Sequence, residues 1–378
     1  MASPELLNFA QLRMPIAGDN PAGKSLREDF SPKSCYQAIK DLQKTARDAE
    51  RSMLWDEESD PQGRLAASRA GWKPVLELAT KITAEDSKDL QVVSWWIEGL
   101  LRVHGFPGIR DGFRLTRELI EQFWDKLYPL PDEEGIATRV GPLAGLNGVD
   151  SDGVLVNPIH NLPITAAGGL RAMSLVDYQQ ANDLERLEDP DKRAQRISRG
   201  AITLEAFQKA VAETSTEFFT NLLEDITGCA TEFDRLCAVL EEKCGNGPDG
   251  HTQAPPSSNI RNALRAVREQ VEQAVRNRGV VGAAPGGAAA PAVNGAQSAV
   301  AVNSGPIAAR DDAFRSLMQV ADFFRRTEPH SPIPYLLEQA VRWGKMPLPE
   351  LLNELLPADS VPTQSFKLVG IRLPERKD

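Results

Sequence analysis

The sequence predicts an all-α, mainly helical, multidomain chain, and three observations carry that reading. Apolar residues recur at steps of three and four through most of the 378 residues. Prolines and small polar residues stand at the ends of those periodic runs, where helices start and stop. One long stretch, Gly279–Ala309, contains no charged residue and is built from Gly, Ala, Pro and small polar side chains. Such a composition buries too little apolar surface to offset the entropy of ordering it, so it reads as a linker between folded parts.

The clearest helices lie between Glu85 and Tyr128. In SKDLQVVSWWIEGLLRVHGF, Ser87 is placed as the N-cap, and Leu90, Val93, Ile97, Leu100 and His104 share one stripe. A turn at Phe106-Pro107-Gly108 leads into a second helix. There Ile109, Phe113, Thr116, Ile120, Phe123 and Leu127 form an apolar face that Leu119 and Trp124 widen, and Pro129 and Pro131 end it. The pair predicts a helical hairpin. Val154–Thr165 carries Pro158 and Pro163 and is expected to be short and extended, in the manner of a small hairpin. From Thr203 to Cys244 two or three helices are expected, with Phe207, Val211, Phe219, Ile226, Phe233, Leu236 and Leu240 inward. Ile260–Arg278 is one more, with Leu264, Val267, Val271 and Val275 facing the core.

Beyond the linker a compact helical module is expected. Phe314, Leu317, Ala321 and Phe324 share a face; Ser331 and Pro332 open the next helix, and Pro347 opens a third. About 45 residues rarely bury enough core to stand alone without disulfide, metal or partner. No cysteine and no ligand spacing is available there, so self-association is the expected support. The chain after Leu356 alternates in QSFKLVGIRL, which predicts a short strand.

Composition bounds the function. A net charge of −10 opposes general binding to nucleic acid or to anionic membrane. No run reaches the length of a membrane span, the first residues lack a signal-peptide pattern, and a reducing cytoplasm is the expected compartment. Cys229, Cys237 and Cys244 lack C-x-x-C spacing and read as small core residues on one helical face. His104, His160, His251 and His330 show no paired spacing; His104 reads as a structural histidine, His160 and His251 as loop residues, and His330 as following a helix end. The acidic runs Asp56–Asp60 and Pro131–Gly135 lack the alternation of a calcium loop. No catalytic residue, cofactor or metal is assigned.

One motif argues otherwise. Gly18–Ser25 reads GDNPAGKS and fits the phosphate-binding pattern G-x-x-x-x-G-K-[ST]. That loop works when a buried strand feeds it and a helix follows it. Here Gln11, Arg13 and Pro15 interrupt the preceding segment, and Pro32 comes within seven residues of Ser25. The expected structure is a turn-rich surface loop, with a nucleotide-binding enzyme as the alternative.

The stretch from Ser87 to Gly135 resembles the ImpA-type N-terminal domain of the TssA family of bacterial type VI secretion systems. The marks are Ser87, Lys88, Asp89 and Leu90, Trp96, Gly105, then Arg110, Asp111 and Gly112, then Phe123 and Trp124 followed by Tyr128-Pro129. PIAGDNPAGKSLR resembles the family's opening segment, in which Pro-Ala-Gly is commonly followed by an acidic residue; Lys24 is the departure, and it alone creates the phosphate-loop pattern. RTEPHSPIPYLLEQAVRWGKMPLPELLNELL is similar to the C-terminal module of the shorter members. The resemblance implies an ImpA-like domain at 1–165, a middle helical domain at 166–278, the linker at 279–309 and a C-terminal oligomerisation domain at 310–378. It further implies a cytoplasmic, non-enzymatic protein that forms a homo-oligomeric ring and works with baseplate, tube and sheath proteins. It would recruit and prime the contractile machine, with no nucleic acid and no direct membrane insertion. Candidate oligomerisation residues are Phe314, Leu317, Phe324, Tyr335, Leu336, Trp343, Met346, Leu351 and Leu355. A soluble adaptor that forms no ring is the remaining alternative.

Overall fold

The computed structural model describes residues 3–281, except 30, 32, 33, 55–60 and 249, together with 314, 317, 318, 320–322, 325 and 332–346. The chain divides into two compact units, 1–287 and 288–378. Among the described residues there are helices, turns and isolated β-bridges, and no strand.

The first unit opens with a short α1 (Phe9–Leu12) and a single 3₁₀ turn (Leu26–Glu28). Two long helices follow, α2 (Cys35–Leu54) and α3 (Pro61–Lys81), the second ending in a π-turn over Ile82–Asp86. Next comes α4 (Leu90–Phe123), which is the expected hairpin. At Gly105 the backbone takes φ 65°, a conformation that costs glycine least, and the chain folds back on itself. The two arms then touch: a Cβ at Gly112 would lie 2.9 Å from Ile97 Cγ1. His104 is exposed, because the break at Gly105 comes before the stripe can carry it into the core. The helix is capped by Asp89, not by Ser87; Asp89 Oδ1 accepts from the Gln91 amide at 2.7 Å, while Ser87 is extended.

Shorter helices complete the unit: α5 (Ile136–Asn147), α6 (Val156–His160), α7 (Leu175–Glu185), α8 (Pro190–Ser198) and α9 (Leu204–Glu213). The expected extended stretch at 154–165 is thus partly helical. Pro158 is the third residue of α6, in the first turn, where a missing N–H breaks no helical bond. Only its end is extended, with a bridge between Pro163 and Ser174. His160 correspondingly ends a helix and is not in a loop.

Two long helices close the unit. Thr203 and Ser215 cap α9 and α10 (Thr216–Cys244), so the region expected to hold two or three helices holds two. Then α11 (Ser258–Val281) runs three residues past Arg278, into the stretch read as linker. α10 lies along α4 and α11, and the Phe113 and Phe233 rings meet at 4.9 Å. One continuous set of buried apolar residues runs from Phe9 through Trp72, Trp96 and Phe113 to Val267 and Ala274. The expected boundary at 165/166 therefore falls inside a shared core. Cys229, Cys237 and Cys244 are buried on α10, as their spacing indicated.

In the second unit the described helix is α12 (Ile333–Lys345), starting one residue after Pro332. Gly344 lies against the Phe314 ring, where a Cβ would come within 2.5 Å of Cε1. The expected positions Phe324, His330, Leu351 and Leu355, the third helix and the terminal strand lie outside the described residues.

Candidate functional site

The loop Gly18–Ser25 is built as an anchor. Asn20 organises it: its side-chain oxygen accepts from the Ala22 amide at 2.9 Å and its carbonyl from the Gly23 amide at 2.8 Å. The Lys24 amide donates to the Asp86 carbonyl at 3.1 Å. A phosphate cradle needs those amides free and convergent. The loop is preceded by helix α1 and a turn and followed by a three-residue 3₁₀ turn, so both flanking elements of a phosphate loop are missing. Lys24 stands exposed, 3.8 Å from Asp86.

What the loop anchors is the open end of the α4 hairpin, and the residues from Ser87 to Leu90 do the joining. Gly23 bridges to Ser87, and the Lys88 amide donates to the Ala22 carbonyl at 2.7 Å. On the other side, Tyr128 donates to the Lys88 carbonyl at 3.0 Å and accepts from the Leu90 amide at 2.8 Å. Asn20 Nδ2 reaches the Tyr128 hydroxyl at 3.1 Å, so loop, hairpin start and hairpin end form one knot.

Lys88 is the chemically unusual member. Its side chain is fully buried and its Nζ donates to the carbonyls of Leu12 (2.7 Å) and Thr83 (2.6 Å), near the Phe123 ring. Burial pulls the ammonium down to about 8. Both hydrogen bonds run to backbone carbonyls, which fixes α1 and the π-turn against the hairpin. This is a structural lysine.

Arg110 and Asp111 perform the second joining. The Asp111 carboxylate accepts from the Leu6 amide at 2.6 Å and from Arg110 Nε at 2.9 Å. Arg110 then reaches the carbonyls of Ser3 and Pro4, while Ser3 donates twice to Asp225 on α10. Leu90, Trp96 and Phe123 are core, Gly105 and Gly112 shape the hairpin, and Trp124 lies under the Arg139 guanidinium at 4.9 Å. The structure thus gathers all eleven motif residues into or against one helical hairpin. Their polar groups bond chiefly to one another and to the backbone of neighbouring segments.

Sequence reading missed three partners. Glu98 is buried within WWIEGLL, where burial pushes its carboxyl up and Arg47 opposes that through bonds of 2.9 and 2.6 Å. An acid inside an apolar run is the signal that such a partner exists. Asn20 and Asp225 gave no comparable signal, since each sits in an ordinary polar context. Burial also drives the Cys229 thiol well up and the Cys244 thiol to about 11, so neither is a ready thiolate. Among the described residues no group of His, Cys, Asp and Glu could hold a metal, and no helix is long and apolar enough to cross a membrane.

The candidate residues of the second unit separate into two sets. Phe314, Leu317, Trp343 and Met346 are half-buried, Phe314 against Gly344. Tyr335 and Leu336, adjacent on α12, are 68% and 65% exposed.

The knotted loop and nearly all of the hairpin's anchoring residues fall within one segment that matches a known family. Residues 13–148 match the family described as ImpA, N-terminal, type VI secretion system. The chain is 26% identical to type VI secretion system component TssA1 of Pseudomonas aeruginosa, over 93% of this chain and 96% of that protein. It also superposes, with a TM-score of 0.58 and 26% identity, on the N-terminal domain of the TssA component from Burkholderia cenocepacia, including its conserved ImpA_N region. That match covers 73% of this chain and 96% of the other, a share close to that of the first unit. Residues 13–148 thus match the ImpA N-terminal family, and the chain as a whole is similar to TssA components of type VI secretion systems.

Proposed function

We propose that this protein is a ring-forming, non-enzymatic scaffold of a type VI secretion system. It self-associates through residues 310–378 in the cytoplasm, at the baseplate or the tube–sheath end. The first unit meets baseplate, tube and sheath proteins, and the assembled machine is recruited and primed through many such contacts. Ring assembly multiplies weak contacts by raising their effective concentration.

The observation that carries this reading is the pair Tyr335 and Leu336. Two large apolar side chains side by side in solvent on a 13-residue helix are a surface awaiting cover. The most exposed large apolar side chains described in the first unit, Val149 and Met14, stand far apart in the chain and not side by side.

Light scattering behind size exclusion tests it, on the full chain and on a chain ending at Val281. The reading requires an oligomer from the first and a monomer from the second. A monomeric full chain at micromolar concentration would remove the ring and leave an adaptor.

A further inference from the structure

We propose that the outward face of α3, around Arg69 and Lys73, is a docking surface for an acidic segment of another protein. This rests on the reading above, in which the first unit meets other proteins, and it names the surface and the chemistry of one partner.

The charge on α3 runs against that of the chain. In a protein of net charge −10, this helix carries Arg64, Arg69, Lys73 and Lys81 against one acid, Glu77. Among the described residues no carboxylate forms an ion pair with any of these four cations, Glu77 included. Two neighbouring carboxylates are already spent. Glu50 accepts from Ser68, from Trp72 Nε1 at 2.8 Å and from Arg102 Nε at 2.8 Å. Asp111 is held by Arg110 and the Leu6 amide.

Arg69 and Lys73 stand four residues apart on one side of the helix, and both are exposed. Like charges at that spacing oppose the helix that holds them. His104, exposed where the α4 hairpin turns, lies within reach of both charges. Desolvation lowers its imidazole below the usual value, Arg69 and Lys73 lower it further, and Asp111 opposes them. Two elements thus bring like charges together with no return inside the fold. An anionic partner turns that repulsion into attraction. The exposed side chains beside the two cations, Ala66, Ala70 and Pro74, are small, so a partner's backbone can come close.

The extent of the patch selects among anions. From Arg64 to Lys81 the helix runs about 26 Å at ~1.5 Å per residue. A nucleic-acid duplex or an anionic membrane carries its charge beyond that length, onto the acidic remainder of the chain. A lone phosphate would keep its water there, because both cations are exposed. An acidic protein segment places a few carboxylates at Arg69 and Lys73 and brings no charge elsewhere.

The test follows the fluorescence anisotropy of a labelled, end-blocked, Glu-rich peptide of about twelve residues, some three helical turns, against the full chain. A second peptide has Gln for every Glu. At about 50 mM salt the acidic peptide is expected to saturate, with a dissociation constant on the order of 100 μM. Salt at about 300 mM weakens it about fivefold, because screening shortens the reach of exposed charges. Arg69→Gln with Lys73→Gln, exposed changes that break no ion pair, weakens it by about fivefold as well. Arg196→Gln with Arg199→Gln removes the same two charges from exposed α8 and leaves the constant alone. Light scattering on the same samples reads the oligomeric mass, so a failure here is distinct from a failure of ring assembly. Four results would overturn the proposal: no saturation up to about 1 mM; equal affinity for the Gln peptide; equal losses in the two double variants, which would leave net charge as the cause; or tighter binding of a DNA duplex of matching charge, which would assign the patch to nucleic acid.

Discussion

The α4 hairpin and α12 are both amphipathic helical elements, yet they treat their apolar faces in opposite ways. The hairpin buries nearly all of its length, and even its charges are enclosed: Lys88 between two carbonyls, Glu98 against Arg47, Asp111 against Arg110. On α12 the buried residues are Pro334 and Val341, while Tyr335 and Leu336 face solvent. A periodic apolar stripe reports that a face wants cover, and not what covers it. In the first unit α3 and α10 supply it. In the second, a neighbouring copy is the cover we propose.

Substitutions should split along the same line. The largest effect belongs to Phe113→Ala, which removes the ring packed on Phe233. It should destabilise the first unit by about 3–5 kcal/mol, near 10 °C in a melt followed by circular dichroism, and leave the oligomeric mass alone. A change in mass without a change in melting would reverse the assignment of the two regions.

Lys88→Met comes next. The apolar stem fits, but the Leu12 and Thr83 carbonyls lose their donor, a loss of about 2 kcal/mol at pH 7. The pH dependence sharpens this. With its folded value near 8 and an unfolded value near 10.5, the native lysine binds fewer protons than the unfolded one between those limits. The cost of burying the charge is fully present below 8 and is relieved as pH rises. Denaturant titrations at pH 7 and 9 should show wild type gaining stability relative to Lys88→Met. That window precedes the raised Cys244 thiol, whose contribution falls as pH climbs from about 9 towards 11. Parallel behaviour of the two proteins would mean Lys88 is not titrating in a dry site.

The smallest effect is expected at Lys24→Ala. Its pair with Asp86 is long and exposed, which limits the loss to about 0.5 kcal/mol. Calorimetric titration of ATP or GTP into wild type should give no saturable heat; binding that disappears in Lys24→Ala would restore the phosphate-loop reading.

Much of the first unit was legible in the sequence because its helices announce themselves at period 3.6, although the hairpin turns at Gly105, just before the expected turn at Phe106-Pro107-Gly108, and ends at Phe123, short of the expected stop at Pro129. What stayed hidden has physical causes. Asp89 caps where Ser87 was expected, because a bridge to Gly23 draws Ser87 into extended backbone. Pro158 reads as a breaker but is harmless in a first helical turn. Apolar stripes on α4 and α10 look like two domains when read separately, since nothing in either run says that Phe113 meets Phe233. The motif residues lie along the hairpin's own run of sequence, whereas their distant partners Asn20 and Asp225 are invisible until the segments are side by side.

The most direct test of the central claim replaces Tyr335 and Leu336 with Asp in the full chain and measures mass by light scattering. The account predicts a 41.4 kDa monomer whose first unit melts as in wild type. An unchanged oligomer would contradict it, and would place assembly on another surface.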